Sequence, residues 1–390
     1  MQEKGKALTA LYVSVGRELS HYDVRLGTAS LVEQSRLTLP YKVQYVWPHP
    51  SAPYLYAACS NGAPDARGDA HCAVVLRIDR QSGALQIHGT PVALPSRPIH
   101  ITVDGPGKHV LTAYNDPSSV TVHRIESDGS IGARVTQRVE PDTGIYAHQV
   151  KVSPSNRTVI VVARGNDAKA TRSEDPGALK VFGYDDGQLS PLASVAPGGG
   201  YGFGPRHLDF HPSQPWVYVS LERQNTLNMF RARDDTLELE PRFIKDTLAD
   251  PAGKQPRQRP GTIHVHPNGR FVYVANRASG TTLVDGKSLF IGGENNIAVY
   301  AIDPRNGELS IIQHADTHGI VPRTFALDKT GRVLVAANSV PILAREASGV
   351  TTVPPSLAFF KVGDDGKLDY VRKYDIDVGA ETMFWMGIVN

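Results

Sequence analysis

The chain has 390 residues, 41% of them hydrophobic, with 41 Lys and Arg against 39 Asp and Glu for a net charge of +2. That balance excludes the global field carried by a nucleic-acid or membrane-surface binder. No window approaches 18 apolar residues and the start, Met1 to Lys6, is polar, so the reading is a soluble, cytoplasmic protein.

A single core stops growing at roughly 250–300 residues, but a repeat array escapes that limit because each unit packs only on its neighbours. Residues 10–15 predict a first strand, with hairpin partners up to Leu39. From Val43 a unit begins that recurs along the chain: an alternating apolar strand, a turn with Pro, Gly or Asn, and a second strand rich in Val, Tyr and Ala. Its copies run Val43–Ala57, Ile99–Ala113, His148–Ala163, His207–Val219, Ile263–Ala275 and Thr324–Ala337. Each is followed by a third strand such as Ala298–Ile302, a glycine turn such as Asp303–Gly307, and a fourth strand such as Glu308–Ile312. The turn recurs at Asp79–Gly83, Ser127–Gly129, Asp185–Gly187 and Gly363–Gly366. Short alternating strands joined by such turns are antiparallel hairpins, and four per unit make a propeller blade. Six units leave residues 1–42 and the apolar tail Glu381–Val389. Pairing that tail with the N-terminal strands leaves no open edge. The sequence therefore predicts one all-β domain over residues 1–390, a seven-bladed β-propeller whose last blade is closed by N- and C-terminal strands.

Three segments break the rhythm, 165–177, 278–296 and 339–355, and are read as loops, which in repeat proteins collect on the binding face. The run Gly198–Gly204 enters a strand rather than a helix, so it is no dinucleotide loop. Cys59 and Cys72 flank the loop 60–71; a disulfide and two free thiols in a reducing cytosol are both open, the thiols preferred. His49, His211 and His266 recur in turns and read as surface residues. No His or Cys cluster has metal spacing, so no metal or cofactor is expected. A Gly-x-Ser-x-Gly elbow is absent, against a serine hydrolase. Trp-Asp blade endings are absent too, which weakens a pure interaction scaffold.

Polar residues gather where blades begin. Inner strands of a propeller converge on one axial channel, and their starts here read Ala147-His148, Pro205-Arg206-His207, Arg259-Pro260-Gly261 and Pro322-Arg323. Second strands end in Asn115, Glu222, Arg277 and Asn338. Charges at repeated positions are costly unless solvated or used.

Four segments, Gly144–Val150, Gly204–Pro212, Pro267–Arg277 and Pro322–Phe325, resemble the lactonase propeller family, which includes cycloisomerase-type 6-phosphogluconolactonases and the fungal 3-carboxy-cis,cis-muconate lactonizing enzyme. The resemblance runs from about Leu11 to Val389. It implies action on a small anionic lactone or its open-chain acid, without metal, nucleic acid or membrane, by a monomer or weak homodimer. His148, Arg206, His207, Glu222, Arg277 and Arg323 fall on its motifs. Departures occur at Arg164, within Ala163-Arg164-Gly165-Asn166-Asp167 where the family reads Asp-Leu-Gly-x-Asp, at the inverted pair Tyr114-Asn115, and at Ser60 in place of an acid.

Lactone hydrolysis needs a base to activate water and a group to stabilise the oxyanion. The resemblance makes His148 the base, Arg206 and Arg277 the anion binders, and Glu222 the group that orients His148 or handles a proton. His207, Arg323, Asn115 and Asn338 complete the substrate-binding set. Lactonizing cyclisation would use the same residue types, with arginines on two carboxylates. The enzyme reading requires His148, Arg206 and Arg277 in one open pocket. A non-catalytic scaffold would keep them apart, or tie them to structural carboxylates.

Overall fold

The computed structural model describes residues 9–64, 66–233, 235–346 and 349–389. The polar start Met1 to Lys6 and Asp65 of the 60–71 loop lie outside the described residues. The alternating segments pair as read, into seven antiparallel blades. Blade 1 holds Ala10–Val15, Glu18–Arg25 and Ser30–Thr38, with Met383–Val389 as its inner strand. Blade 2 is Lys42–Pro48, Tyr54–Ser60, His71–Ile78 and Leu85–Ala93. Blade 3 is Pro98–Val103, His109–Asn115, Ser118–Ile125 and Ile131–Arg134. Blade 4 is Ala147–Val152, Thr158–Ala163, Ala178–Asp185 and Gln188–Val195. Blade 5 is Pro205–Phe210, Trp216–Leu221 and Thr226–Arg233, with its outer strand split into Thr236–Leu237 and Phe243–Asp246. Blade 6 is Gln258–Val265, Phe271–Ala278, Asn296–Ile302 and Leu309–Asp316. Blade 7 is Pro322–Leu327, Val333–Asn338, Ser356–Val362 and Leu368–Asp375.

The inner strands pack side by side around the axis in chain order, and Met383–Val389 fills the place between blades 7 and 2. It pairs antiparallel with Ala10–Val15, so the two ends of the chain close the ring. The core lies between blades. At the closure, Leu11 and Val13 bury against Val335, Phe359, Met383 and Met386. Each such side chain stabilises by about 1.5–3 kcal/mol relative to exposure.

Polar contacts repeat with the blades. The hydroxyls of Tyr12, Tyr56, Tyr218 and Tyr273 donate to the carbonyls of Gly83, Gly129, Gly307 and Gly366 at 2.7, 2.9, 3.0 and 2.8 Å. Each acceptor is the glycine turn of the following blade. Gly307 has φ 81°, the left-handed region, and a Cβ there would lie 2.6 Å from Trp216, so only glycine fits. His211 and His266 are buried and His49 is half-buried, and the rings of all three bridge blades. Each Nδ1 accepts a backbone N–H of its own turn. Each Nε2–H then donates to the next blade, to Gly107 at 3.2 Å, Gly269 at 2.8 Å and Gly331 at 2.9 Å. An imidazole facing a neighbouring blade is satisfied on both nitrogens this way, where a surface one needs no partner.

Two of the three segments read as loops carry strands. Thr281–Val284 and Lys287–Phe290 form one hairpin, Ile342–Glu346 and Gly349–Val353 another, and they join in parallel at Leu289 and Leu343. The first turn is Asp285-Gly286, both left-handed as a two-residue hairpin demands. Phe290, Ile342, Ala344 and Val353 cover Ile320 and Val321, so the insertions build an apolar cluster of their own. Segment 165–177 stays a loop, anchored by Arg223 on Asp167 and Glu174. Cys59 and Cys72 are buried, free and directly opposite in register. No helix among the described residues is long and apolar enough to cross a membrane.

Candidate active site

Every inner strand carries a β-bulge near its start. The register skips Gln44 in blade 2, Ile99 in blade 3, His148 in blade 4 and Arg206 in blade 5. It skips Gly261-Thr262 in blade 6 and Arg323 in blade 7. In blade 1 the bulged pair is Phe384-Trp385, held by Ser14, whose hydroxyl accepts from Trp385 N and donates to its carbonyl. A bulge re-aims a side chain out of the pleat, and here it points one residue per blade at the axis. Gln44, Ile99, His148, Arg206, Thr262, Arg323 and Phe384 all line one small axial cavity of about 20 Å³.

Beside it opens a larger cavity of about 450 Å³, off-axis over blades 4 to 6. Six cationic side chains line it, Arg164, Lys169, Arg206, Arg257, Arg259 and Arg277, against the single carboxylate of Glu222. His148 faces both cavities. Glu222 is 3% exposed. Its Oε1 takes Arg206 and Arg277, while Oε2 faces Arg164 at 3.3 Å and Arg259 at 3.6 Å. Burial alone would raise its pKa, but these guanidiniums hold the carboxyl well below the usual carboxylate range. Asp167, beside the rim, accepts from Arg259 at 3.0 Å and Arg223 at 2.9 Å. Even with both carboxylates engaged, the cavity keeps an excess of positive charge.

Burial, and then the charges of Arg206, Arg164, Arg323 and Arg277, push the His148 imidazole well below its ordinary pKa. It is neutral at pH 7, as a base must be. Burial and Arg206 also bring Arg277 down to about 9, still charged at neutral pH. Arg323 lies over the Phe384 ring at 3.9 Å, a cation–π contact.

The structure thus brings His148, Arg206, Arg277 and Glu222 together, with His207 and Arg323 on the axial side. His207 lies between His148, tilted at 5.2 Å, and His100, edge-on at 6.2 Å between ring centroids. Glu222 does not orient His148: its oxygens are taken by arginines, and His148 Nδ1 is buried without a protein partner. Two expected residues lie elsewhere. Asn115 ends the second strand of blade 3 at its tight turn, paired with Ser118, and does not line the cavity. Asn338 Nδ2 donates to Thr317 O at 3.0 Å and Ser356 Oγ at 3.1 Å. Its true counterpart is Asn276, which makes the same kind of bridge to Asn296. The register explains the error: Pro322 pairs with Asn338 as Pro205 pairs with Leu221, so Ser339, not Asn338, matches Glu222 and Arg277. The same register puts Arg164 at that position in blade 4, since Ala147 pairs with Ala163. Sequence reasoning recorded Arg164 only as a departure, although its offset from the blade start was the signal.

Comparison with known proteins agrees with this geometry. Residues 7–342 match the family described as "Lactonase, 7-bladed beta-propeller". A protein of Bacillus subtilis (strain 168) named 6-phosphogluconolactonase is 30% identical over 269 residues, covering 67% of this chain and 69% of its own. One of the same name from Enterobacter sp. (strain 638) is 28% identical over 342 residues, covering 86% of this chain and 90% of its own. Among solved structures, the Pseudomonas aeruginosa periplasmic gluconolactonase PpgL superposes with a TM-score of 0.74 at 21% identity, over 98% of this chain and 99% of that one. With its ring of seven blades and a match across most of its length, the chain belongs to the seven-bladed β-propeller lactonase family.

Proposed function

We propose that the protein hydrolyses an anionic sugar-acid lactone, as a 6-phosphogluconolactonase does, with His148 as general base. The observation that carries this reading is one cavity in which a neutral imidazole faces cations that outnumber the carboxylate. In the resting site, protonating His148 among four guanidiniums is unfavourable. A bound phosphate or carboxylate neutralises part of that field and makes His148 a stronger base when substrate is present. His148 takes a proton from water, and the hydroxide attacks the lactone carbonyl. Arg206 and Arg277 stabilise the oxyanion. The ring C–O bond then breaks, and the leaving alkoxide receives the proton from His148. Pairing of Arg206 and Arg277 with Glu222, a feature expected of a scaffold, serves here to fix their forks while leaving the cavity cationic.

The test is steady-state kinetics on glucono-δ-lactone, its 6-phosphate and a carboxymuconate. Hydrolysis with preference for the phosphorylated lactone is expected; turnover of the muconate alone would favour the cyclisation reading. His148→Ala should lower kcat by about 10²–10⁴-fold, and Arg277→Ala, which removes an oxyanion donor, should lower it by about 10²–10³-fold. A folded His148→Ala protein with full turnover would remove the base assignment.

A further inference from the structure

The small axial cavity is lined by a bulged residue from every blade. Three of its buried polar atoms have no protein partner: Gln44 Oε1, Arg206 Nε and His148 Nδ1. All three belong to bulged residues, so backbone geometry, not chance rotamers, delivers them to the axis. The volume of about 20 Å³ is that of one water, which needs roughly 10–15 Å³ and two to four polar partners. The chemistry of the lining selects among small occupants. Gln44 Nε2 donates to Lys42 O at 3.3 Å, which fixes the amide with its oxygen as an acceptor. An acceptor repels an anion, whereas Arg206 Nε repels a cation, and only a species that both donates and accepts satisfies them.

We propose that this cavity is a water site and that Gln44 is a positioning residue for His148. The water accepts from Arg206 Nε–H and from His148 Nδ1–H and donates to Gln44 Oε1. With the proton held on Nδ1, the lone pair of His148 is on Nε2. In other His-based sites a carboxylate sets this tautomer; here Glu222 is consumed by arginines, and a water on an amide takes that place. The mechanism also explains why an amide stands at position 44. A Glu there would pair with Arg206 and pull it from the oxyanion.

This inference rests on His148 being the base, so the experiment separates the two. Gln44→Leu and the more conservative Gln44→Met are compared with wild type and His148→Ala, with folding followed by circular dichroism. Imidazole ¹⁵N NMR reports the His148 tautomer, and kinetics on 6-phosphoglucono-δ-lactone separate kcat from KM. The expected result is a wild-type Nδ1–H signal that shifts toward the other tautomer in both variants. The expected kinetic effect is a fall in kcat of about 10–100-fold, the size seen when the outer hydrogen-bond partner of a metal-ligating histidine is removed, at unchanged KM. Crystals of the wild type should show ordered density between Gln44, Arg206 and His148. If His148→Ala is inactive while both Gln44 variants keep wild-type tautomer and kcat, the water site is overturned and the base assignment stands. If His148→Ala is fully active, the base reading fails; the tautomer shift then still decides the water site.

Discussion

Replacing Glu222 by Gln keeps the shape of the side chain and removes the buried carboxylate on which Arg206 and Arg277 converge. The carboxylate is nearly inaccessible, and its Oε2 faces Arg164 at 3.3 Å and Arg259 at 3.6 Å while Oε1 holds Arg206 and Arg277. At an effective dielectric near 20, one pair at that separation has about 5 kcal/mol of gross attraction. Desolvation of the ions offsets most of this, but deleting one partner of a buried pair leaves the others uncompensated, at a cost of about 3–5 kcal/mol. We expect urea unfolding of Glu222→Gln at low salt to show a loss of that size. Inorganic phosphate should return part of it, since a ligand at a hundred times its Kd stabilises by about 2.7 kcal/mol. The gain should exceed that in wild type, where Glu222 already occupies the guanidiniums. Wild-type stability in Glu222→Gln would refute the counterion role. A destabilised variant that phosphate rescues no better than wild type would refute the claim that the cavity accepts an anion in place of the carboxylate.

Other outcomes follow from the same physics. Deleting residues 381–390 removes the inner strand of blade 1 and strips Leu11 and Val13 of Met383 and Met386; size-exclusion chromatography should show aggregated protein, and an unchanged monomer with wild-type melting temperature would contradict the closure. The buried histidines His100, His148 and His207 sit well below their ordinary pKa through burial, and His21, His123 and His211 are lowered too. The unfolded chain therefore binds their protons first, and stability is full above about pH 6.5 and falls as pH drops below it. Glu222 and Asp209, both held far below the carboxylate range against burial, add a further loss at still lower pH. Urea midpoints at pH 8, 7, 6 and 5 should decline from 7 downward; a midpoint that rises toward pH 5 would show that these rings are not neutral in the fold.

The blades were legible because each copy repeats the same alternation and the same glycine turn, so errors in one are corrected by the others. The tail was legible because Phe384-Trp385-Met386 needs cover. Site residues on bulges, His148, Arg206 and Arg323, stood out as polar residues at strand starts, yet Gln44, Ile99 and Phe384 in the same ring did not, since their types carry no charge to notice. Asn338 was misplaced because counting from the end of an apolar run loses a residue where Ala336-Ala337 extends it; only pairing with Pro322 restores the count. The reading of Glu222 as the group that orients His148 failed for another reason. A carboxylate near a histidine looks like its partner until four guanidiniums from three blades arrive, and no local pattern announces them. His211 and His266 look solvated along one chain segment, because the carbonyls they reach belong to the next blade.

The tyrosine and histidine contacts that end on glycine carbonyls of a neighbouring blade point one way along the chain. Tyr12, His49, Tyr56, His211, Tyr218, His266 and Tyr273 each reach a glycine carbonyl made later than themselves. During synthesis, every finished blade that carries such a donor waits with its hydroxyl or N–H ready for the turn that follows. Assembly can therefore advance blade by blade without rearranging what is already built. The seam between blades 7 and 1 is different in kind, because its missing strand, Met383–Val389, comes after all seven blades have otherwise been made. The seven bulged residues meet around a complete circle only then, so the axial cavity closes in one late step, and a chain stalled before residue 383 leaves Leu11 and Val13 without the strand that covers them.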